Sequence, residues 1–263
     1  MLVEGVHFLP DDPPADVAWK LVAANLSDLA AKGARPLGIL LGYPLLGDDG
    51  WHEAFVDGLA ETLHVFDAPL LGGDTVAPRG GPRTLSVTAL GSAPDSGAPS
   101  RAGARPGDGL WVTGTLGDAG AGLRALQGEA PDEAYGIARY RRPEPRLAEG
   151  SALAPYVSAM MDVSDGLLID LSRLAAASGA GARVDLGALP LSPAFVRAMG
   201  RDREARLFAA TAGDDYELLF SMRGEPPVPA TRVGEIVDGG GLALFDGADP
   251  VPLPATLGWE HRA

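Results

Sequence analysis

The residues best suited to chemistry in this sequence are carboxylates at predicted turns. They stand in three short segments: Asp74 in GGDT, Asp162 and Asp165 in MDVSDGL, and Asp214, Asp215 and Glu217 in GDDYEL. Asp74 and Asp162 come at or just beyond the ends of apolar, strand-like segments, where ligand sites gather in open sheets. Carboxylates on such loops suit Mg²⁺, which binds one or two of them together with phosphate oxygens and water. Ordinary turn chemistry explains each Gly-Asp or Asp-Gly pair equally well when that pair is taken alone.

A predicted helix over residues 17–32 supplies a further carboxylate. Asp16 is expected to cap this helix, and apolar residues recur along one of its faces at helical spacing. Asn25, Asp28 and Lys32 stand at i, i+3 and i+7, so they share one polar stripe. The stripe fits a metal-binding face, and it also fits a solvated helix face with an ion pair between Asp28 and Lys32.

Two rings and a glycine-rich turn are further candidates. His7 lies in the predicted strand LVEGVHF and Trp259 lies near the end of the chain. Each ring is suited either to contacting a ligand or to simple packing. The segment GTLGDAGAGL could bind phosphates with backbone N–H groups at the start of a helix. Because it lacks the Rossmann spacing, close helix packing explains its glycines as well.

Strands and helices alternate along the chain, which predicts two domains of α/β or α+β type. Residues 92–107 are rich in Gly, Pro, Ala and Ser without periodicity, so we expect a boundary there, with domains at 1–97 and 98–263. The segment MDVSDGLLIDLSRLAAASG predicts a strand, a turn and a helix that ends at Gly179. The segment VGEIVDGGGLALFD predicts a β-hairpin.

The composition restricts the class of protein. The formal net charge is −14, and Lys20 and Lys32 are the only lysines, so we expect no nucleic-acid partner. Phosphate chemistry in such a chain would need divalent cations held by carboxylates, and no GxxxxGK[ST] motif occurs. The sequence contains no cysteine, no apolar run of the roughly 20 residues that span a bilayer, and no secretory signal at its start. We therefore expect a cytoplasmic protein without a membrane partner.

Taken together and in order, the segments resemble the thiamine-monophosphate kinase family. The resemblance runs from Leu2 to about His261 and rests on LVEGVHF, NLSDLAAKGARP, LLGGDT, RAGARPGD, VTGTLGDAGAGL, MDVSDGLLIDL, GDDYELLF and GWEH. It implies a transferase that phosphorylates thiamine monophosphate to the diphosphate with ATP. It also implies an α/β domain followed by an α+β domain, as in aminoimidazole ribonucleotide synthetase. The same resemblance implies a homodimer whose N-terminal sheets pair, with active sites at the interface.

The resemblance also implies the residues of the site. Magnesium ligands are implied at Asp28, Asp74, Asp162 and Asp165. Nucleotide contacts are implied at Gly73, Asp74, Arg101 and Ser164. Substrate contacts are implied at His7, at Trp259, and at an acid of GDDYEL that is either Asp214 or Glu217, with Asp214 slightly favoured. The attacking phosphate oxygen is already anionic, so no general base is expected, and Mg²⁺ ions would neutralise charge during in-line transfer.

The sequence departs from the family at its start. Family members carry some tens of residues before this point, including a Gly-Asp-Asp turn and a Ser/Thr-Thr-Asp strand that ligate magnesium. We therefore expect this sequence to be N-terminally shortened. Two other functions fit the same motifs: a different ATP-dependent enzyme of the superfamily, or a nucleotide-binding dimer without turnover.

Overall fold

Two β-sheets organise the computed structural model, which describes residues 1–131 and 133–260. The strands of the first sheet are β1 (Leu2–Val3), β2 (Arg35–Pro44), β3 (Leu70–Val76) and β4 (Thr84–Ser92). Their order is β1-β4-β2-β3; β2 pairs in parallel with β3, and β4 pairs antiparallel with β1 and β2. Helices α1 (Pro14–Ala30) and α2 (Asp49–Val65) pack against this sheet, and the core between them includes Leu21, Ile39, Phe55 and Leu85.

The second sheet lies in the remainder of the chain. Its strands are β5 (Gly109–Val112), β6 (Ala159–Val163), β7 (Gly181–Asp185), β8 (Glu217–Met222), β9 (Thr231–Val237), β10 (Gly241–Asp246) and β11 (Asp249–Val251). The order is β11-β10-β7-β9-β5-β8-β6. The helices of this half are α3 (Asp118–Leu126), α4 (Ala134–Arg141), α5 (Leu147–Leu153), α6 (Leu167–Ser178), α7 (Pro193–Met199) and α8 (Arg203–Thr211). Apolar residues of α6 and of the sheet form the main core here.

Helix α1 belongs to both halves of the molecule. Toward the first sheet it buries Leu21 and Leu26. At its other end, Ala30 and Ala31 join a separate apolar cluster with Met160 and residues of β8 in the second sheet. The predicted domain boundary at residue 97 falls between the end of β4 and the start of β5. Because α1 packs on both sides of that boundary, its polar residues are brought to the second domain.

The start of α1 differs from the sequence-based expectation. The helix begins at Pro14, with Pro13 at the N-cap position and no side-chain capping bond. Proline suits the first helical position because its fixed φ is already helical and it has no N–H to leave unbonded. Asp16 therefore lies inside the first turn, where its carboxylate accepts a hydrogen bond from Arg142 of the second domain at 2.5 Å. The predicted capping role for Asp16 is wrong.

The predicted hairpin is also wrong, although both of its strands form. β9 and β10 are separated in the sheet by β7, which pairs antiparallel with β9 and in parallel with β10. Both ladders converge on Gly181, which lies opposite Val237 in β9 and Gly241 in β10. A strand from elsewhere in the chain thus takes the place that a local hairpin partner would occupy. The prediction for MDVSDGL and the helix after it is confirmed, since α6 ends at Gly179 in the left-handed conformation.

In the part of the chain that the structure describes, no helix is long and apolar enough to cross a membrane.

Candidate active site

A cavity of about 280 Å³ lies between the two domains. From the first domain it is lined by residues 5–9, which include His7. The second domain lines it with Leu123 of α3, with Gln127 at the end of that helix, and with Tyr140 of α4. It also contributes three segments that carry predicted site residues: Ser164 and Asp165; Ala212, Asp214 and Tyr216; and Trp259. The structure thus brings His7, Asp214 and Trp259 to one cavity, although they are far apart in sequence.

The GDDYEL turn enters this cavity in a strained conformation. Gly213, Asp214 and Tyr216 all have positive φ, at 78°, 59° and 52°. Positive φ is uncommon outside glycine and is often found at functional sites, where the surroundings enforce it. Here the enforcement comes from the loop after β6, since Asp214 N–H donates to Ser164 O and Tyr216 N–H donates to Val163 O, both at 2.8 Å. The two predicted functional turns are therefore hydrogen-bonded to one another.

The Asp214 carboxylate is held at both oxygens. Lys20 of α1 donates to Oδ2 at 2.8 Å, and the Tyr216 hydroxyl donates to Oδ1 at 3.1 Å. The Lys20 side chain is 3% exposed, whereas that of Asp214 is 33% exposed. The Lys20 ammonium also lies 3.7 Å from the ring centroid of Tyr140. Asp214 is therefore the member of this pair that is open to the cavity. Sequence reasoning missed Lys20, because it lies within the helical pattern of α1.

Glu217, the alternative to Asp214, lies outside the cavity. It is fully buried at the start of β8, and Arg146 binds it with two hydrogen bonds of 2.7 and 2.6 Å. Arg139 and Thr113 donate to the same carboxylate at 2.9 and 2.7 Å. A carboxylate surrounded in this way by two guanidinium groups is typical of a structural ion cluster.

The loop between β6 and α6 is organised by Asp170, another residue that sequence reasoning missed. Its Oδ2 accepts hydrogen bonds from three successive backbone N–H groups, those of Ser164, Asp165 and Gly166, at 3.0, 3.0 and 3.2 Å. Burial raises the pKa of Asp170 to about 6, although the backbone donors and Arg173 oppose the rise. Arg173 donates to both Asp165 and Asp170. The available sequence signal was an aspartate in the first turn of a helix whose N-cap is a glycine, Gly166, which has no side chain to cap the helix.

The C-terminal Gly-Trp pair lies against the same loop. Trp259 N–H donates to Asp165 O at 2.8 Å, and Ile169 N–H donates to Leu257 O at 3.1 Å. A methyl group on Gly258 would lie 2.4 Å from Asp165 O and from Ile169 Cγ2, so only glycine permits this approach. The Trp259 side chain lines the cavity and is 51% exposed. His261, at the end of the GWEH segment, lies outside the described residues.

His7 lies in the turn that follows β1 and not in a strand, so that prediction is wrong, and the backbone of Val3 orients its ring. Its Nδ1 accepts a hydrogen bond from Val3 N–H at 3.1 Å. An imidazole nitrogen that accepts carries no proton, so the neutral ring has its proton on Nε2.

A second group of predicted residues gathers around Asp28 and Asp162. Burial is the main reason that the pKa of Asp162 is raised to about 7, and the charge of Asp28 raises it further. Burial also raises the pKa of Asp28, against the opposing charges of Lys32, Arg101 and the N-terminal amine. Ser27 donates to Asp162 Oδ2 at 2.8 Å. The structure thus brings Arg101 into the electrostatic neighbourhood of Asp28, a predicted metal ligand. Lys32 donates a hydrogen bond to Pro99 O at 3.1 Å, and its charge is the main one that opposes the rise in the pKa of Asp28.

Gly73 and Asp74 lie apart from these groups, inside the edge strand β3 of the first sheet. The predicted turn at Asp74 is therefore wrong, because the strand continues to Val76. They border a separate cavity of about 360 Å³ that Tyr43 and Phe55 also line. A methyl group on Gly73 would lie 2.0 Å from Leu41 O, so close pairing of β2 with β3 already requires this glycine. Asp74 Oδ1 accepts from Thr75 N–H at 2.9 Å. Among residues 1–131 and 133–260, no three or more His, Cys, Asp or Glu residues are arranged to hold a metal ion.

Comparison with known proteins identifies the fold. Residues 1–93 match the N-terminal domain of AIR synthase related proteins, and residues 105–247 match the C-terminal domain. The thiamine-monophosphate kinase of Salmonella typhimurium is 43% identical over 278 residues, which is 98% of this chain and 83% of that protein.

Two solved structures are similar along nearly the whole chain. Thiamine-monophosphate kinase from Stenotrophomonas maltophilia superposes with a TM-score of 0.83 at 41% identity, covering 92% of this chain and 82% of that one. AaThiL, solved in complex with AMPPCP and TMP, superposes with a TM-score of 0.87 at 31% identity, covering 99% and 85%. These likenesses confirm the two-domain fold and the resemblance expected from the motifs. The chain belongs to the thiamine-monophosphate kinase family of AIR synthase related proteins.

Proposed function

We propose that this protein transfers the terminal phosphoryl group of ATP to thiamine monophosphate and so forms thiamine diphosphate. The observation that carries the proposal is the interdomain cavity, at which His7, Asp214 and Trp259 converge beside the Ser164–Asp165 loop. A relative of 31% identity has been solved with AMPPCP and TMP together. Homologues of 41–43% identity carry the name of this kinase activity.

The chemistry of the cavity suits the organic part of thiamine monophosphate. Its thiazolium ring is a cation, which an exposed aromatic face such as that of Trp259 attracts. Its aminopyrimidine ring offers N–H donors, and Asp214 presents an oriented, acceptor-only carboxylate to the cavity. His7 would contact the substrate from the opposite domain. Glu217 is not part of this proposal, because its lone pairs are already taken by Arg139, Arg146 and Thr113.

The phosphate end of the reaction is proposed at Asp28 and Asp162. Two adjacent carboxylates with raised pKa values fit a divalent cation, because a positive ion would remove the repulsion between them and compensate their burial. Asp28 and Asp162 would hold Mg²⁺, which when bound neutralises phosphate charge. Asp165 would add a ligand from the loop between β6 and α6. Arg101, already close enough to lower the pKa of Asp28, would contact the ATP phosphates.

The remaining site assignments come from the family resemblance. Ser164 is proposed as a nucleotide contact and lies next to the proposed ligand Asp165. Gly73 is proposed beside the nucleotide and Asp74 as a further magnesium ligand. No side chain is required as a general base, since the nucleophilic phosphate oxygen is already ionised at neutral pH. The protein therefore acts by orienting two phosphates and by excluding water between the domains.

We also infer that two copies of the chain pair through the first sheet. Large apolar side chains stand exposed on three of its strands: Leu37, Leu40, Leu70, Leu71, Val76 and Leu90. Exposed apolar surface of this extent is typical of an interface. Analytical ultracentrifugation should give the mass of a dimer at micromolar concentration, whereas a monomer would contradict the pairing. Because the proposed reaction consumes ATP, we place the protein in the cytoplasm.

The activity can be tested by measuring ADP release and thiamine diphosphate formation from ATP and thiamine monophosphate. We expect both products in equal amounts, and neither when EDTA is in excess over Mg²⁺. Product formed with another phosphate acceptor, but not with thiamine monophosphate, would indicate a different enzyme of the superfamily. Nucleotide binding without any turnover would indicate a binding protein and would contradict the proposal.

A further inference from the structure

The contact between Lys20 and Asp214 joins the two domains at the cavity. Lys20 lies in α1 of the first domain, 194 residues before its partner in sequence. It is 2% exposed, and lysine is seldom so buried unless it is paired. Burying an ammonium group is costly, so both of its contacts, the Asp214 carboxylate and the Tyr140 ring, are needed to offset that cost.

The pair is asymmetric with respect to the cavity. Asp214 and Tyr140 line the cavity, and Lys20 does not. Lys20 is therefore placed behind the carboxylate, on the side away from a ligand. With Oδ2 held by Lys20 and Oδ1 by the Tyr216 hydroxyl, the carboxylate cannot rotate without losing a hydrogen bond. These two contacts therefore also fix the directions of the lone pairs that remain free to accept from a ligand in the cavity.

Other ionic contacts cross between the same two domains, but their residues do not line the cavity. Arg142, which follows α4, binds Asp16 one turn before Lys20 on α1, and it also binds Glu61 of α2. Removing Lys20 is therefore not expected to separate the domains. What it would remove is the donor that fixes the orientation of Asp214.

We propose that Lys20 is a positioning residue for substrate recognition: from the first domain it fixes the Asp214 carboxylate of the second domain in the orientation that binds the organic part of the substrate. The inference rests on the proposed function of the cavity. It gives the otherwise lysine-poor chain a specific use for one of its two lysines. It also means that the affinity for thiamine monophosphate depends on how the two domains are positioned relative to one another, since Lys20 and Asp214 come from different domains.

Steady-state kinetics of Lys20→Met, Asp214→Asn and the double variant test the proposal. Methionine keeps the length and apolar stem of lysine and removes the charge. We expect Lys20→Met to raise KM for thiamine monophosphate about tenfold to a hundredfold, the change that corresponds to one charge-assisted hydrogen bond. KM for ATP should stay within about twofold of the wild-type value, because Lys20 lies away from Asp28 and Asp162. Arg142→Met, which breaks an interdomain ion pair outside the cavity, is the matched control and should leave both KM values unchanged.

The double variant separates positioning from simple support of the fold. If Lys20 acts through Asp214, adding Lys20→Met to Asp214→Asn should raise KM no further. The double variant leaves neither charge unpaired, so it also provides the measurement if Lys20→Met alone does not fold. A further rise of about tenfold in the Asp214→Asn background, or an equal rise in Arg142→Met, would overturn the proposal. If Asp214→Asn itself leaves KM unchanged, the proposed role of Asp214 fails; if only Lys20→Met leaves it unchanged, the inference about Lys20 fails alone.

Discussion

The backbone N–H of Trp259 donates a hydrogen bond of 2.8 Å to Asp165 O. The position of the C-terminal aromatic residue is therefore coupled to that of a proposed magnesium ligand. The approach that permits this bond depends on Gly258, where a methyl group would meet both Asp165 O and Ile169 Cγ2 at 2.4 Å. The Gly-Trp pair therefore has a physical explanation. The glycine allows the chain to pass close to the loop, and the tryptophan then reaches the cavity.

The first prediction follows from that dependence. Gly258→Ala should displace Trp259 and raise KM for thiamine monophosphate about tenfold, nearly as much as Trp259→Ala, through loss of an aromatic contact worth about 1–2 kcal/mol. The matched control is Gly240→Ala, because a methyl group there meets nothing within 4 Å. Kinetics at fixed, saturating ATP provide the measurement. An unchanged KM in Gly258→Ala would mean that Trp259 is not held for binding by this approach.

The second prediction concerns the pH dependence of stability without metal. The folded-state pKa of Asp162 is about 7, whereas an unfolded aspartate titrates near 3.9. Between those values the folded protein keeps a proton that the unfolded chain has lost. The contribution of Asp162 therefore lowers the free energy of unfolding progressively as pH rises from about 4 to 7. In excess chelator, Asp162→Asn should therefore melt higher than the wild type at pH 8, and the advantage should shrink toward pH 5.

The same variant tests the proposed magnesium site. Mg²⁺ should raise the melting temperature of the wild type at pH 8, because it stabilises the ionised form of Asp162, and should raise that of Asp162→Asn much less. Equal stabilisation of both proteins by Mg²⁺ would place the metal elsewhere. A wild type that melts as high as Asp162→Asn without metal would show that the buried carboxylate carries no penalty.

Much of the site could be anticipated from the sequence because its residues come in short segments with glycine. The segments that contain Asp162, Asp165 and Asp214 were predicted to be turns after or before strands, and the structure joins these turns by backbone hydrogen bonds. The cavity also gathers His7 and Trp259, which sequence spacing alone could not bring together. What identified them in advance was the order of motifs along the whole chain.

What sequence reasoning missed is mainly buried charge. Lys20 and Asp170 lie within the regular pattern of α1 and α6, where a charged residue is usually solvent-exposed. Lys20 pairs with Asp214, which only the tertiary structure brings near it. Asp170 accepts from the backbone of residues 164–166, which requires an unusual conformation of that loop. The misassigned hairpin has a similar origin. Local turn residues between β9 and β10 could not reveal that β7 is inserted between them.

The third prediction separates the two acids of the GDDYEL segment. Glu217→Gln keeps the shape of the side chain but leaves Arg139 without a charged partner in a buried site, and leaves Arg146 only its longer contacts with Glu144 and Glu149. Loss of one member of such a cluster should destabilise the protein by about 3 kcal/mol or more, and urea unfolding should show it. KM for thiamine monophosphate should change little. Asp214→Asn should give a different pattern, with a raised KM and a smaller loss of stability, because Asp214 is partly exposed and only one cation, Lys20, loses its charged partner.

The fourth prediction concerns the loop that Asp170 supports. Asp170→Ala would leave three buried or half-buried N–H groups, those of Ser164, Asp165 and Gly166, without their acceptor. We expect a loss of about 3 kcal/mol of stability and a fall in kcat, since the loop carries the proposed ligand Asp165. Asp170→Asn keeps one acceptor oxygen and should lose roughly half as much stability. Arg173→Met is the control for the ion pair, because it removes the partner of Asp165 and Asp170 while leaving the three backbone bonds in place. If Arg173→Met lowers kcat as far as Asp170→Ala does, the charge pairing and not the backbone support determines the position of the loop.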